Sequence, residues 1–186
     1  MNRCQWVNSD PLYIKYHDQE WGVPVFDDRL LFEYITLEGA QAGLSWFTIL
    51  KKRENYRQAF DQFDIEKICH YDDEKVNQLL QNSGIVRHRL KISSVITNAK
   101  AAMDVKTEFG SFSRYIWSFV DGQPIINFFE NQNEVPTSTE ISNAMSRDLK
   151  KRGFKFVGTT ICYSFMQAVG LVNDHVTTCD FKHKDL

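Results

Sequence analysis

Helix boundary signals recur along almost the whole chain and constrain its fold more than any other feature of the sequence. Asp10 followed by Pro11 is typical of a helix N-cap and the first helical position. Asp27 precedes a second helical pattern that we expect to reach about Gln41, and Gly43 is expected to end it. Further helix starts are expected at Ser45, Asp64, Asp72, within Thr137–Glu140, and at Thr159 or Thr160.

Alternating patterns that would predict strands are scarce and short, and the best of them covers Phe154 to Val157. The sequence therefore predicts an all-α protein. The polar stretch from Asp121 to Pro136 is predicted to be a loop that joins a central body to a C-terminal part packed against the N-terminus. We expect a single domain over residues 1–186, a length that allows two helical lobes around one cleft.

Composition limits the class of protein further. Hydrophobic residues make up 42% of the chain, which is enough for a core and too many for a disordered protein. No apolar run approaches the ~20 residues needed to cross a bilayer, and Met1–Trp6 lacks the apolar stretch of a secretion signal. The chain is thus expected to be soluble and cytoplasmic, with its four cysteines reduced.

The net charge of −2 does not favour binding to nucleic acid by the molecule as a whole. Local basic clusters lie at Lys51–Arg53, Arg87–Lys91 and Lys150–Lys155. Each cluster, taken alone, is more often a solvated helix end than a DNA contact, so any DNA-binding surface depends on how the fold groups them.

Residues 73–103 have the layout of a helix-hairpin-helix. A helical pattern breaks at Asn82–Ile85 and resumes near His88, where basic residues begin the second helix. Backbone N–H groups freed at such a turn bind phosphate, and the helix dipole favours negative charge there. The alternative is an ordinary turn between two helices. The usual hairpin has two glycines, whereas only Gly84 is present here. The candidate DNA contacts are Ser83, Gly84, Arg87 and Arg89, with Lys91 nearby.

Cysteine and histidine occur in pairs near both ends of the chain. Cys4 and His17 lie at the start, and His175 and Cys179 lie near the end, spaced to share one face of a helical turn. Two thiolates and two imidazoles form a closed tetrahedral set, which is typical of structural zinc. The alternative is two buried thiols and two unrelated histidines.

One carboxylate breaks an otherwise apolar helix face. Glu38 falls on the same face as Leu31, Tyr34 and Ile35. A carboxylate that faces a core is costly unless it is paired or faces a pocket. Glu38 is therefore either salt-bridged or at the rim, or it is a functional group.

Aromatic residues concentrate in the same N-terminal third of the chain. A pocket for a base flipped out of DNA needs aromatic planes, because every base offers a π-face. The alternative is that these side chains belong to the core. The candidate pocket residues are Trp6, Tyr13, Tyr16, Trp21 and Trp46.

Long motifs closely resemble the 3-methyladenine DNA glycosylase I family. The resemblance spans nearly the whole chain and is weaker over about residues 66–134 and after Cys179. The matching blocks are Cys4–Trp6, Asp10–Asp18, Glu20–Pro24, Leu37–Trp46, Lys51–Arg57, Lys150–Ala168 and Gly170–His175.

The resemblance implies an all-α fold of the helix-hairpin-helix superfamily, with two lobes around a base pocket and one structural zinc joining the termini. It implies a monomer that acts on double-stranded DNA containing alkylated purines and releases 3-methyladenine without a lyase step. It places the zinc ligands on Cys4, His17, His175 and Cys179. It places base recognition on Glu38, Tyr16 and Trp46, with Tyr13, Trp6 and Trp21 around them.

Two functions from other classes compete with this interpretation. A zinc hydrolase would use the Cys/His set as its catalyst, but a closed set of four ligands leaves no position for water. A non-catalytic DNA-binding module would use the hairpin alone, and it would not need Glu38 in an aromatic pocket.

Overall fold

A computed structural model describes residues 1–182 and confirms the all-α prediction. Two 3₁₀ turns, Asp61–Phe63 and Gln132–Glu134, interrupt the loops. The helices in this part of the chain are α1 (Pro11–Gln19), α2 (Asp28–Ala40), α3 (Trp46–Ala59), α4 (Ile65–Ile68), α5 (Asp73–Gln81), α6 (Arg89–Phe109), α7 (Phe112–Ser118), α8 (Glu140–Lys151) and α9 (Thr159–Ala168). Between Met1 and Lys182, no helix combines the length and the apolar character needed to span a membrane.

The predicted N-caps are present at the starts of five helices. Each cap side chain accepts a hydrogen bond from a backbone N–H of the first turn, which satisfies a donor that the helix itself leaves free. The capping residues are Asp10 for α1, Asp27 for α2, Ser45 for α3, Asp64 for α4 and Asp72 for α5.

Helix α8 begins with a capping box, but its two residues are not those of the sequence pattern Thr137–Glu140. Thr139 accepts from the N–H of Ser142, and the Ser142 hydroxyl accepts from the N–H of Thr139 at 2.8 Å. The polar residue at the third helical position therefore closes the box, rather than Glu140, which is the first residue of the helix.

The alternating pattern at Phe154–Val157 does not form a strand, in agreement with the all-α prediction. Phe154 is buried and Lys155 is exposed, but the backbone of Lys155 bonds to a side chain instead of a strand. The carboxamide of Asn98 accepts from the Lys155 N–H at 2.7 Å and donates to its carbonyl at 3.1 Å. A positive φ of 55° at Phe156 also prevents an extended conformation.

Two short strands form elsewhere. Strand β1 (Ile125–Ile126) pairs in parallel with β2 (Val172–Asn173). Nearby, the N–H of Thr177 donates to the carbonyl of Phe129 at 2.9 Å. These bonds fix the predicted loop at residues 121–136 against the C-terminal segment.

Helix α2 lies at the centre of the molecule. Every residue from Leu31 to Ala40 is buried, and the helix packs against α3, α6, α7 and α9. The segments around Asn2 and Asp180 also meet, because the N–H of Asn2 donates to the carboxylate of Asp180 at 2.8 Å. The C-terminal end of α2 lines a cavity together with the N-terminal aromatic residues and α9.

Candidate active site and metal centre

A cavity of about 200 Å³ opens at the C-terminal end of α2. The fold brings to it all six residues that the sequence predicts for a base pocket: Trp6, Tyr13, Tyr16, Trp21, Glu38 and Trp46. Four polar residues complete its lining: Gln41, Gln132, Ser164 and Gln167.

The aromatic rings form the walls of this cavity. The ring centroid of Trp6 lies 5.0 Å from those of both Tyr13 and Trp21, and the centroids of Tyr16 and Trp46 are 5.4 Å apart. Burial, with the nearby Tyr34 and Glu38, raises the pKa of Tyr16 well above its ordinary value. Its hydroxyl therefore remains a hydrogen-bond donor at neutral pH.

Glu38 is buried without a partner. Its exposed fraction is 4%, and it makes no hydrogen bond or ion pair with any residue between Met1 and Lys182. Burial alone raises its pKa from 4.5 to about 8. The salt-bridged alternative is thus wrong for Glu38, which lines the cavity as an isolated carboxyl group.

Neighbouring carboxylates are neutralised, in contrast. Glu20 accepts from Arg53 at 2.9 Å and from the Tyr34 hydroxyl at 2.7 Å. Glu33, five residues before Glu38 on α2, accepts from Arg57 at 2.8 Å. The fold therefore pairs Glu20 and Glu33 with arginines. Glu38 has no such partner and remains available to a ligand in the cavity.

The raised pKa of Glu38 predicts how stability depends on pH. Between pH 4.5 and about 8 the folded chain holds a proton that the unfolded chain has lost, so stability falls as pH rises through this window. Glu38→Gln removes this effect. Since one unit of pKa difference corresponds to about 1.4 kcal/mol, the shift from 4.5 to about 8 makes the variant up to about 5 kcal/mol more stable than the parent at pH 8, and equally stable near pH 4.5.

Urea unfolding of both proteins at several pH values measures this difference, and effects of pH on other groups cancel between them. A Glu38→Gln protein that is less stable than the parent at every pH would show that the carboxylate makes stabilising contacts in the folded state.

The four predicted metal ligands converge next to the aromatic wall of the cavity, where the ring centroids of Trp6 and His17 are 5.2 Å apart. The ligand atoms of Cys4, His17, His175 and Cys179 lie within 4.8 Å of one another, and all four residues are buried. His175 Nδ1 is 3.3 Å from the sulfur of Cys179 and 3.6 Å from that of Cys4, and His17 Nε2 is 3.6 Å from the Cys179 sulfur. Tetrahedral zinc, with Zn–S near 2.3 Å and Zn–N near 2.0–2.1 Å, separates adjacent ligand atoms by about 3.6 Å. The donor set and its spacing fit zinc.

The second nitrogen of each imidazole is held by the protein. His17 Nδ1 donates to the carboxylate of Asp18 at 2.8 Å, which Arg3 in turn binds at 2.7 Å. His175 Nε2 donates to the carbonyl of Trp21 at 3.0 Å. Such bonds set the ring orientation and direct the other nitrogen, His17 Nε2 or His175 Nδ1, toward the two sulfur atoms, where it can bind a metal. The bond to Trp21 also joins this cluster to a wall of the cavity.

The helical turn expected at His175–Cys179 is wrong. Strand β2 ends at Asn173, and the N–H of Cys179 bonds to the carbonyl of Val176 in a tight turn. The Asn173 side chain accepts from the N–H of His175 at 3.3 Å. The turn, rather than helical periodicity, brings the two ligands together.

The expected hairpin is the seven-residue connection between α5 and α6, from Asn82 to His88. Gly84 is required there, because a Cβ at this position would lie 2.9 Å from the Asn55 side chain. The carbonyl of Ser83 accepts from Lys52 at 3.3 Å. Helix α6 extends to Phe109, beyond the expected limit near residue 103.

The basic side chains of the hairpin differ in their exposure and in the hydrogen bonds that they make. Arg87 is exposed, and Arg89 donates to the side chain of Asn77 at 2.7 Å. Lys91 is not mobile, because its ammonium group donates to the carbonyls of Ala40 and Ala42 at 2.9 and 2.6 Å. Lys91 therefore caps the end of α2 and positions the helix that carries Glu38.

Sequence reasoning missed Gln41, Gln132, Ser164 and Gln167 as cavity residues. Gln132 lies in the stretch expected to be a loop, and Ser164 and Gln167 lie on an apolar helix. No local pattern distinguishes these positions from other polar residues, so the tertiary structure alone identifies them.

Comparisons with known proteins identify the family of this chain. A family model described as methyladenine glycosylase matches residues 6–183. DNA-3-methyladenine glycosylase 1 of Escherichia coli is 58% identical over 179 residues, which cover 96% of each chain. A structure of 3-methyladenine DNA glycosylase I from Staphylococcus aureus, described as the structural basis of 3-methyladenine recognition, is 38% identical and superimposes with a TM-score of 0.96 over 99% of this chain and 98% of that one.

A further structure contains a variant of 3-methyladenine DNA glycosylase I in complex with 3-methyladenine. It is 38% identical, with a TM-score of 0.96 over 99% of both chains. The family model, the sequence identity and the shared fold all extend over nearly the whole length of this protein. The chain belongs to the methyladenine glycosylase family.

Proposed function

We propose that this chain excises 3-methyladenine from alkylated DNA, releasing the free base and leaving an abasic site for base-excision repair. The observation that carries the proposal is the unpaired, buried Glu38 in a cavity walled by aromatic rings. Relatives with this fold are DNA-3-methyladenine glycosylases, and a closely superimposable structure holds 3-methyladenine.

The chemistry of the lesion explains why a recognition site suffices. Methylation at N3 gives adenine a positive charge, which weakens the bond between N9 and C1′ of the sugar. The bond electrons pass to the base, which leaves neutral and needs no proton from an acid. Water adds to C1′ and loses its proton to solvent. Catalysis then consists largely of binding the departing base and the sugar cation more tightly than the ground state.

Each cavity residue has a role in this mechanism. The base leaves the DNA stack and enters the cavity, where Trp46 stacks on it. The positive charge of the lesion lowers the pKa of Glu38, which loses its proton to solvent as the base binds. The resulting carboxylate accepts a hydrogen bond from the base edge, and its charge favours the cationic lesion over neutral adenine. Tyr16 donates a second orienting hydrogen bond. Tyr13, Trp6 and Trp21 complete the walls.

Incubation of the protein with methylated duplex DNA tests the function directly. We expect free 3-methyladenine in the supernatant and abasic sites in the DNA, with strand breaks only after alkali treatment. Binding to DNA without release of a base would instead indicate a non-catalytic binding module.

We also propose that one structural Zn²⁺ binds Cys4, His17, His175 and Cys179. The spacing of the ligand atoms and the held imidazoles support this proposal. A closed set of four ligands leaves no position for water, so the metal would contribute to folding rather than to hydrolysis.

We further propose that the segment Asn82–His88 and the start of α6 act as a helix-hairpin-helix that binds DNA phosphates. The His88 side chain caps the N–H of Lys91 at 3.3 Å, whereas helix geometry leaves the N–H groups of Arg89 and Leu90 without partners inside α6. These two groups and the helix dipole attract anions. Arg87 and Arg89 add exposed positive charge at the same place. Contacts of this kind hold DNA without reading its sequence.

Replacing Arg87 and Arg89 together with alanine is expected to weaken binding of damaged and undamaged duplex by similar factors. The slope of log affinity against log salt should become shallower by about 1 for each phosphate contact that is lost. Fluorescence anisotropy at several salt concentrations measures both effects.

Lys100→Ala is a suitable control, since Lys100 is exposed on the same helix, about 17 Å from Arg89 at 1.5 Å per residue. We expect this variant to bind like the parent. If the double variant lost affinity for damaged DNA only, these arginines would belong to lesion recognition instead.

A further inference from the structure

Gln132 enters the cavity from the loop between β1 and α8. It is the first residue of a 3₁₀ turn, and its side chain lines the cavity together with Glu38 and Trp46. The carboxamide oxygen is buried, and none of the residues described by the structure donates a hydrogen bond to it. A buried acceptor without a donor is unfavourable, so this oxygen is expected to have a partner outside the chain.

The turn does not need the Gln132 side chain for its own conformation. Asn131 caps the turn by accepting from the N–H of Asn133 at 3.1 Å. The Glu134 carboxylate accepts from the N–H of Glu130 at 2.8 Å and from the Asn131 side chain at 2.6 Å. The loop is thus closed by its other polar groups, and the carboxamide of Gln132 remains available to a ligand.

The indole N–H of Trp46 is also buried and has no acceptor among residues 1–182. This N–H lies in the plane of the ring, so it does not point at a base that stacks on Trp46. The carboxamide oxygen of Gln132 is therefore the unused polar group that a base in the cavity can reach with its edge.

The chemistry of the lesion identifies the donor. An N3-methylated adenine attached to its sugar has no N–H groups except the two on the exocyclic amine, whereas its other ring nitrogens are acceptors. One amine hydrogen suits Glu38, and the other remains for a second acceptor. We propose that Gln132 contacts the base directly, with its carboxamide oxygen accepting the second hydrogen of the exocyclic amine. This inference rests on the proposed function of the cavity.

Gln132→Leu tests the contact, because leucine fills similar space and cannot accept a hydrogen bond. We expect the affinity for free 3-methyladenine and kcat/KM for its excision to fall about 3- to 10-fold, the range for one neutral hydrogen bond. Affinity for 3-methylpurine, which lacks the exocyclic amine, should change less than twofold. Gln132→Glu retains an acceptor and should retain affinity for 3-methyladenine.

Asn133→Leu is the matched control, since Asn133 lies in the same turn but is exposed and does not line the cavity. Equal affinity of the Gln132→Leu and Asn133→Leu proteins for 3-methyladenine would overturn the proposal. So would an equal loss by Gln132→Leu for 3-methyladenine and 3-methylpurine, because the residue would then act through shape. Failure of the parent protein to release 3-methyladenine would refute the proposed function itself.

Discussion

Glu38→Gln is expected to lower both the excision of 3-methyladenine and the affinity for the free base by roughly 10- to 150-fold. Glutamine keeps the shape of the side chain but removes its charge and one acceptor. A hydrogen bond to a charged group contributes ~1.5–3 kcal/mol, which corresponds to this range. Single-turnover kinetics on methylated DNA and fluorescence titration with 3-methyladenine measure the two losses. They should be similar, because recognition and catalysis use the same contact.

Glu33→Gln is a matched control on the same helix. Glu33 is as buried as Glu38, but it binds Arg57 and does not line the cavity. We expect this variant to lose stability and to retain its affinity for the base. The opposite pattern for Glu38→Gln, with unchanged base affinity and a large fall in melting temperature, would contradict a recognition role for Glu38.

Cys4→Ala and His175→Ala are expected to cause the largest loss of stability. Each variant removes one ligand from a site that joins the two ends of the chain and closes a loop of nearly its full length. By analogy with a disulfide of that span, the proposed metal link contributes about 4–5 kcal/mol. We expect a lower melting temperature and less than one zinc per chain. The protein that remains folded should still excise 3-methyladenine.

Metal analysis of the purified protein, together with calorimetry, measures these effects. Cys162→Ala is the control, because Cys162 is buried away from the cluster and its thiol binds the carbonyl of Val157. This variant should keep its zinc. Freshly purified parent protein without zinc would refute the metal proposal. If Cys4→Ala or His175→Ala lost a larger fraction of its activity than the fraction of its molecules that is unfolded, the metal would also act in catalysis.

The sequence alone predicted most helix boundaries correctly. An N-cap such as Asp10 or Ser45 bonds to a backbone N–H two or three residues later, so the interaction lies within one short segment and leaves a local pattern. The aromatic residues of the cavity were also predictable, because Trp6 to Trp46 lie close together in the chain. The resemblance to a family supplied the roles that spacing alone left open.

The tertiary structure decided the features that depend on distant contacts. Glu33 and Glu38 share one buried helix, yet only Glu33 meets an arginine, from α3. Contacts between distant segments also hold the ammonium group of Lys91 on the carbonyl of Ala40 and place Gln132 in the cavity. The helical pattern indicated that Glu38 is buried, but the pairing of a buried carboxylate is set by residues tens of positions away, about which a pattern along one segment contains no information.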